Sequence, residues 1–433
     1  MHSGVNLIIT LSLDEGKVVR VSGPASIEVL SGELLISGAS FPPPSKLIIS
    51  RFRSYGVKAV KRSELKVILG DGGSVEEPRE GEEVVDAWLD LCSRLLNYSK
   101  PLRVIILGPT ESGKTSLTAF IANQLISKGR EVYVVDTDVG QEDIAIPCTI
   151  GVARPTNKFI WLRELQPIKI KFVGCTSPQY CLTQYVTAFQ EVVSELINSG
   201  SDLIVNTDGW VTGPSALELK QLMIKLMRPT HVYVLSDEIY EYIRNSLRGS
   251  NIEVVLVPRP KVVRERSRDD RRFLRQQAYS KLLSNVRRIK LAINNIVMLG
   301  SCLLSGRRLD VNELINYVKL PQEACNNVLY ASIYGNTLNL VLRRGTSVCD
   351  LSPYSDNLEL NVINEGDERG LLVGILDGDL RDVGVGIIDS VNYVDGNIYV
   401  LTSWNGSIGG LILGKVKLNE KYEEVSRVSK CLL

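Results

Sequence analysis

The segment Gly108-Pro-Thr-Glu-Ser-Gly113-Lys114-Thr115 constrains this chain more than any other stretch. It satisfies the phosphate-binding loop pattern G-x-x-x-x-G-K-[ST] at every fixed position. An apolar run at 104–107 precedes it, and Leu117, Phe120, Ile121 and Leu125 follow at helical spacing up to Gly129. A buried strand, a glycine loop and a helix start are the context in which backbone N–H groups can surround a polyphosphate. The loop Gly108, Pro109, Thr110, Glu111, Ser112, Gly113, Lys114, Thr115 and Ser116 is therefore expected to hold a nucleoside triphosphate. Lys114 would reach the β/γ oxygens, and the Thr115 hydroxyl would sit on Mg²⁺ or another divalent cation.

Bulk properties narrow what surrounds this loop. At 433 residues the chain exceeds one ordinary core, so two to three domains are expected. A net charge of +1 points to no polyanion partner by overall charge, so any basic site must be local. The eight cysteines form no C-x-x-C pair, which indicates neither a zinc site nor a disulfide framework. With only His2 and His231, histidine catalysis is not expected. The opening Met1-His-Ser-Gly-Val-Asn-Leu-Ile-Ile lacks the charged segment and cleavage site of a signal peptide. The apolar run near 291–304 is short and carries Asn294 and Asn295, so no membrane span or membrane partner is expected, and a cytoplasmic location is.

Local patterning predicts three segments. Short alternating runs at 7–11, 17–21, 26–29, 33–36, 46–49 and 65–69, punctuated by Gly, Pro and Ser, predict a small all-β domain. It ends with a helical pattern at 84–96. From about 100 to 260, strands at 103–107, 132–135, 203–206, 231–235 and 252–257 alternate with helices at 114–128, 182–198, 216–227 and 240–247. That alternation predicts an α/β fold, a P-loop parallel sheet with helices on both faces. The stretch 144–178 reads as a loop-rich insertion, and 261–288 as a basic helical segment. Strands at 329–333, 337–342, 371–375, 383–388 and 397–401 predict a closing all-β domain. The expected boundaries are 1–95, 96–289 with an arginine-rich lid at 261–288, and 290–433.

Three further segments carry chemistry. Asp136-Thr-Asp138-Val-Gly140-Gln141 ends a strand, where ligands of an open parallel sheet gather. One carboxylate could position the metal's hydration shell and the other accept a proton from an attacking hydroxyl; both could equally cap the loop. In Asn206-Thr-Asp-Gly-Trp210, a tryptophan beside a glycine at a strand end offers a stacking platform for a nucleobase, or else a buried anchor. Arg268, Arg271, Arg272 and Arg275 share one helix face, an arrangement suited to anions unless Glu265, Asp269 and Asp270 simply offset it. No N-K-x-D motif occurs, since Asn157-Lys158 continues as Phe159-Ile160, which disfavours a switch GTPase. The L-S-G-G-Q signature of transporter ATPases is absent too.

Together these residues resemble the polynucleotide 5′-hydroxyl kinase family. That family includes the kinase subunit of the eukaryotic mRNA 3′-end cleavage factor and tRNA-splicing complex, and stand-alone archaeal RNA kinases. The likeness rests on residues 108–116, Asp138-Val-Gly-Gln141, Ile146-Pro147-Cys-Thr149, Val173-Gly-Cys-Thr-Ser-Pro178, Asn206-Thr-Asp-Gly-Trp210-Val and Glu265-Arg-Ser267 with its trailing arginines. The resemblance implies ATP-dependent phosphorylation of the 5′-hydroxyl of RNA, with DNA left open as a second acceptor and protein partners unknown. By position it implies Lys114 and Thr115 on phosphate and Mg²⁺, Asp138 activating the hydroxyl, and Gln141 near the metal and the acceptor, which leaves Asp136 as the strand-end carboxylate for the metal's hydration shell. It implies Thr176 and Ser177 holding the acceptor's terminal phosphate and Trp210 stacking on its base. Arg266, Arg271 and Arg275 would be lid arginines contacting the transferring phosphate. The chain departs from the family pattern at Glu111-Ser112, where Asp-Val is common. It departs again at Asp208, where a small residue is usual, and at Gln179-Tyr180, where glycine often follows the proline. A relative that binds ATP without catalysis is the alternative, but such relatives lose catalytic positions that are present here.

Overall fold

The computed structural model describes residues 7–99, 101–321, 325–346, 351–428 and 433. The opening segment Met1–Asn6, and Cys349 and Cys431, lie outside the described residues. The chain forms two compact units. The first comprises Met1–Ala145, Ile150–Lys169 and Ser177–Arg271; the second comprises Ile146–Thr149, Ile170–Thr176 and Arg272–Leu433.

The first unit holds two sheets. Residues 7–76 form a seven-stranded sheet dominated by two long strands, Ala25–Ile36 and Ser54–Leu69, which pair antiparallel through irregular registers. Alternation along them buries Ile27, Val29, Val57, Ala59, Leu65 and Val67 on one face. The runs expected separately at 26–29 and 33–36 are one strand, because Gly32 sits at a bulge that a turn would otherwise occupy.

The second sheet carries six strands within this unit, in the order Thr149–Ala153, Val132–Asp136, Asp202–Asn206, Arg103–Leu107, His231–Val234 and Glu253–Leu256. The last five run parallel, as their alternation with helices predicts. Thr149–Ala153 instead runs antiparallel to Val132–Asp136, so the supposed loop-rich insertion adds an edge strand. Its run Thr-Ile-Gly-Val-Ala was too short and too little alternating to stand out beside the longer strands. Helices cover both faces. Val104 and Ile106 meet Trp88 and Leu91 of helix Val85–Leu96 and Phe120 of helix Lys114–Ser127. Ile105 and Leu107, pointing the other way, are equally buried, and helix Pro214–Met227 packs against that strand and against helix Leu182–Leu196.

Helix Lys114–Ser127 is buried nearly all round, which its sequence, apolar on one stripe only, did not announce. Asn123 explains part of it: its Nδ2 donates to Ser37 O at 2.8 Å and Phe159 O at 2.7 Å. Gln124 Nε2 donates to Gly38 O at 2.6 Å. Polar residues on the outward stripe thus bind the N-terminal sheet to the P-loop helix, and both sheets belong to one unit.

The second unit closes the chain with two larger sheets. One orders Arg287–Ala292, Asn397–Thr402, Asp382–Asn392, Leu371–Leu376, Gly410–Leu418 and Val297–Leu299 around Val373, Ile375, Ile388, Ile398 and Leu411. The other orders Arg307–Arg308, Val328–Tyr334, Thr337–Leu342 and Glu359–Asn364. Cys302 is disulfide-bonded, which corrects the reading of no disulfide; pairing depends on proximity in space, which residue spacing does not reveal. Among the described residues no helix is long and apolar enough to cross a membrane.

Candidate active site

Parallel registry brings the sequence motifs together. Asn206 lies beside Asp136 on one neighbouring strand and beside Ile106 on the other, so three adjacent strands end at one edge of the sheet. The P-loop leaves the strand Arg103–Leu107, beside the middle strand Asp202–Asn206. Gly113 opens the helix at φ 98°, a conformation that only glycine adopts without strain. Glu111 also stands in the left-handed region at φ 61°. Its cost of roughly 1–2 kcal/mol is small beside the burial of Leu117, Phe120, Ile121 and Leu125, worth roughly 1.5–3 kcal/mol each. Lys114 Nζ donates to Pro109 O at 2.7 Å, and burial pulls its ammonium down to about 8 despite Asp138 and Asp208 nearby.

The two carboxylates of Asp136-Thr-Asp138 occupy different surroundings. Asp136 is fully buried and accepts from Asn206 Nδ2 at 2.8 Å, Asp143 N at 2.8 Å and Asp138 N at 3.1 Å. Burial, with the neighbouring charges of Asp138 and Asp143, pushes it up to about 7. Asp138 lines a cavity and accepts from the Gly140 and Gln141 amides at 3.2 and 3.1 Å. Burial raises its carboxyl as well, against the pull of Lys114. Around them Gln141 Oε1 and Asn206 Oδ1 are buried without a hydrogen-bond partner, and Asn206 Nδ2 lies 3.5 Å from Thr115 Oγ1. A buried carboxyl group beside a hydroxyl and orphaned amide oxygens is a hard-oxygen donor set, which fits Mg²⁺. Among the described residues no group of three His, Cys, Asp or Glu is arranged to hold a metal ion by itself.

The cavity, about 180 Å³, is lined by the P-loop from Thr110 to Ser116, by Asp138, Gln141 and Arg266, and by Arg53, Tyr55 and Gly56 of the N-terminal sheet. This contribution of residues 52–56 went unnoticed in the sequence, because an arginine within an all-β domain carries no motif. Its organiser is Asp143. One oxygen accepts from Arg163 Nε at 2.7 Å; the other accepts from Trp161 Nε1 at 2.8 Å and from Arg53 Nη2. Both guanidinium groups also lie over the Trp161 ring, at 4.5 and 4.9 Å from its centroid. Although burial works against it, Arg53, Arg163 and Arg266 hold the Asp143 carboxyl at about 2. Burial and repulsion from Arg53 in turn bring Arg266 down to about 10.

A stability prediction arises here. A carboxyl depressed in the folded state stabilises above its unfolded value and loses that contribution as pH falls through the folded one. Asp143 accordingly contributes about 2–3 kcal/mol near neutrality, lost between about pH 4 and its folded value of about 2. Asp143→Asn takes from the buried Arg53 guanidinium its charged partner and is expected to destabilise by about 3–5 kcal/mol. Urea unfolding at pH 7 and pH 3 checks this: the variant's deficit should shrink at the lower pH.

The remaining expected residues are placed as follows. Trp210 is partly buried, so it is no core anchor, and its N–H donates to Asp208 Oδ1 at 2.8 Å. Gly209 before it touches the P-loop: a Cβ there would lie 2.4 Å from Thr110 Oγ1 and 2.7 Å from Thr110 N. Arg271 Nη2 and the Arg266 amide both donate to Glu111 Oε1 at 3.0 Å. The variable loop position Glu111 therefore ties the start of the arginine-rich segment to the P-loop. The basic segment is helical only over Arg268–Leu283, and Arg266 lies before the helix in irregular chain. Ser177 directly precedes the turn Pro178–Tyr180 in the first unit, whereas Thr176 belongs to the second. Arg275 also belongs to the second unit, where its Nε donates to Glu424 Oε1 at 2.8 Å.

Comparison with known proteins bears on this geometry. Residues 108–285 match the family described as the mRNA cleavage and polyadenylation factor CLP1 P-loop. The chain is 26% identical over 357 residues to a polyribonucleotide 5′-hydroxyl-kinase of Thermococcus kodakarensis, covering 81% of this chain and 98% of that one. It is 28% identical over 338 residues to the Pyrococcus furiosus polyribonucleotide 5′-hydroxyl-kinase, covering 77% and 92%. A CLP1 homologue of Anopheles gambiae is 31% identical over 186 residues, 40% of this chain and 43% of that one. In fold the chain resembles Clp1p, solved in complex with Pcf11p residues 454–563, at a TM-score of 0.65 and 14% identity, covering 96% and 99%.

Proposed function

We propose, on the premise that residues 108–285 belong to the CLP1 P-loop family, that this chain transfers the γ-phosphoryl group of ATP to the 5′-hydroxyl of RNA. DNA is a further candidate acceptor. Several relatives over most of the chain are named polyribonucleotide 5′-hydroxyl-kinases. The observation that carries the reading is the convergence of the P-loop, Asp138 and the Trp210 turn at the ends of three adjacent strands.

In this reading the P-loop amides and Lys114 hold the triphosphate, Lys114 exchanging the Pro109 carbonyl for phosphate oxygens. Thr115, Asp136 and Gln141 would hold Mg²⁺, which supplies charge neutralisation on the phosphates. Asp138 takes the proton of the 5′-hydroxyl as its oxygen bonds to the γ-phosphorus and the bond to the ADP oxygen breaks. Arg266 lines the cavity and stabilises charge spread over the transferring group. Arg271 acts on phosphates by leaving Glu111. Ser177 holds the acceptor's terminal phosphate, and Trp210 stacks on its base. The proposed location is the cytoplasm, in RNA processing or repair.

The direct test is label transfer from γ-phosphate-labelled ATP to matched RNA and DNA oligonucleotides, single- and double-stranded, with hydroxyl or phosphate 5′ ends. Transfer confined to hydroxyl ends is expected; transfer to none of them would sink the reading. Trp210→Ala is expected to raise the oligonucleotide KM about 5- to 150-fold, the loss of one stacked base at roughly 1–3 kcal/mol. The ATP KM should stay unchanged, and initial rates across an oligonucleotide series separate the two.

A further inference from the structure

The departure at Asp208 has a built counterpart. Where a small residue is usual, this chain buries a carboxylate at 3% exposure and sets Lys220, wholly buried on helix Pro214–Met227, against it. Lys220 Nζ donates to Asp208 Oδ2 at 2.5 Å, and Tyr185 Oη, also wholly buried, donates to the same oxygen at 3.0 Å. The other oxygen, Oδ1, accepts from the Trp210 amide at 2.8 Å. Tyr185 Oη further lies 3.1 Å from Thr137 O and 3.0 Å from Thr137 Oγ1. Thr137 is the residue between Asp136 and Asp138, and its own amide donates to Asn206 O at 3.0 Å.

One buried carboxylate therefore ties three segments together: the Trp210 turn by its amide, the Asp136–Asp138 segment through Tyr185, and the P-loop, against which the intervening Gly209 is packed. A bare structural role accounts poorly for this arrangement. An ion pair withdrawn from water recovers little beyond what an apolar pair of the same volume would give. What it does supply is direction, because a carboxylate held from one side presents its second oxygen at a fixed place.

We propose that Asp208 and Lys220 are positioning residues that hold Trp210 at a set distance from Asp138, so that the acceptor's 5′-terminal base and its hydroxyl are registered by one rigid turn. The inference deepens the proposed kinase reading and rests on it. Asp208 is the group that acts on Trp210, and Lys220 acts only by fixing Asp208. Their loss should therefore appear in the acceptor terms and leave the nucleotide terms alone.

Two double variants separate positioning from mere stability. Lys220→Met alone strands a buried charge and is expected to lower Tm. Asp208→Asn with Lys220→Met removes both charges but keeps an oxygen for the Trp210 amide; Tm and the oligonucleotide KM should both return to near wild type. Asp208→Ala with Lys220→Met also removes both charges and restores Tm, but leaves the Trp210 amide without its acceptor. Its oligonucleotide KM, and its Kd for a 3′-fluorescein 5′-hydroxyl RNA measured by anisotropy, should rise about tenfold, the loss of one hydrogen bond, with the ATP KM unchanged. Adding Asp208→Ala and Lys220→Met to Trp210→Ala should change the oligonucleotide KM no further. Equal acceptor constants for the two double variants, or a parallel rise in the ATP KM, would overturn the positioning role. A wild-type protein that neither binds nor phosphorylates the RNA overturns the kinase reading and this inference with it.

Discussion

Lys114→Ala is expected to reduce 5′-phosphoryl transfer by about 10³- to 10⁵-fold, the scale on which a single cation aimed at a transferring phosphoryl group acts. The side chain is buried among the loop amides with its ammonium 2.7 Å from the Pro109 carbonyl. Nothing else in the loop carries a positive charge, so no neighbour replaces it. The fold should survive, because alanine removes a charge whose burial opposes the folded state, as its downward shift to about 8 shows. That shift has a consequence for the wild type. In the free protein Lys114 gives up its proton above about pH 8, so kcat/KM should decline as pH rises past that point. Steady-state label transfer from pH 6 to 10, with circular dichroism to confirm folding of the variant, reads both effects. Unchanged turnover in Lys114→Ala would falsify the kinase assignment.

Asp138→Asn is expected to lower kcat by about 10²- to 10⁴-fold, the range in which a positioned base contributes to proton transfer. Asparagine keeps the size and the oxygen that accepts from the Gly140 and Gln141 amides, so the loop should hold its shape. What it lacks is a basic lone pair for the hydroxyl proton. ATP affinity should stay within about threefold, since the P-loop is untouched. In the wild type, burial raises the Asp138 carboxyl. The acid limb of kcat/KM should therefore lie above the ordinary aspartate range, rate being lost as pH falls and the carboxylate is protonated. That limb should vanish in the variant. Asp136→Asn provides the contrast: its effect should depend on the concentration of Mg²⁺, whereas that of Asp138→Asn should not.

Much of this site was legible because its parts are local. The P-loop, Asp136-Thr-Asp138 and Asn206-Thr-Asp-Gly-Trp210 each sit within a few residues of a strand end. Parallel registry then places strand ends together whatever the intervening helices contain. The helices at 114–127, 182–196 and 214–227 were legible too, their apolar residues recurring at helical spacing. Arg53, Asp143 and Trp161 were not, because they come from separate parts of the chain and meet only where the N-terminal sheet folds against the P-loop helix. Lys220 was hidden for the opposite reason. Its helix pattern placed it plausibly on a surface, and only the burial of Asp208 opposite explains a lysine with no solvent contact. The strand Thr149–Ala153 was missed because five residues of a short buried strand carry no period long enough to separate them from a loop.

The sequence by itself determined that a triphosphate-binding loop stands at the end of a buried strand, with carboxylates at the next strand end, since these depend on residue types at fixed short spacings. Tertiary structure decided the rest: that Asp136 is enclosed while Asp138 faces the cavity, that Glu111 anchors Arg266 and Arg271, and that Asp143 gathers arginines from distant segments. The physical reason is that burial and charge pairing are properties of what surrounds a side chain. Those surroundings are assembled from residues far apart along the chain, and no local pattern records them.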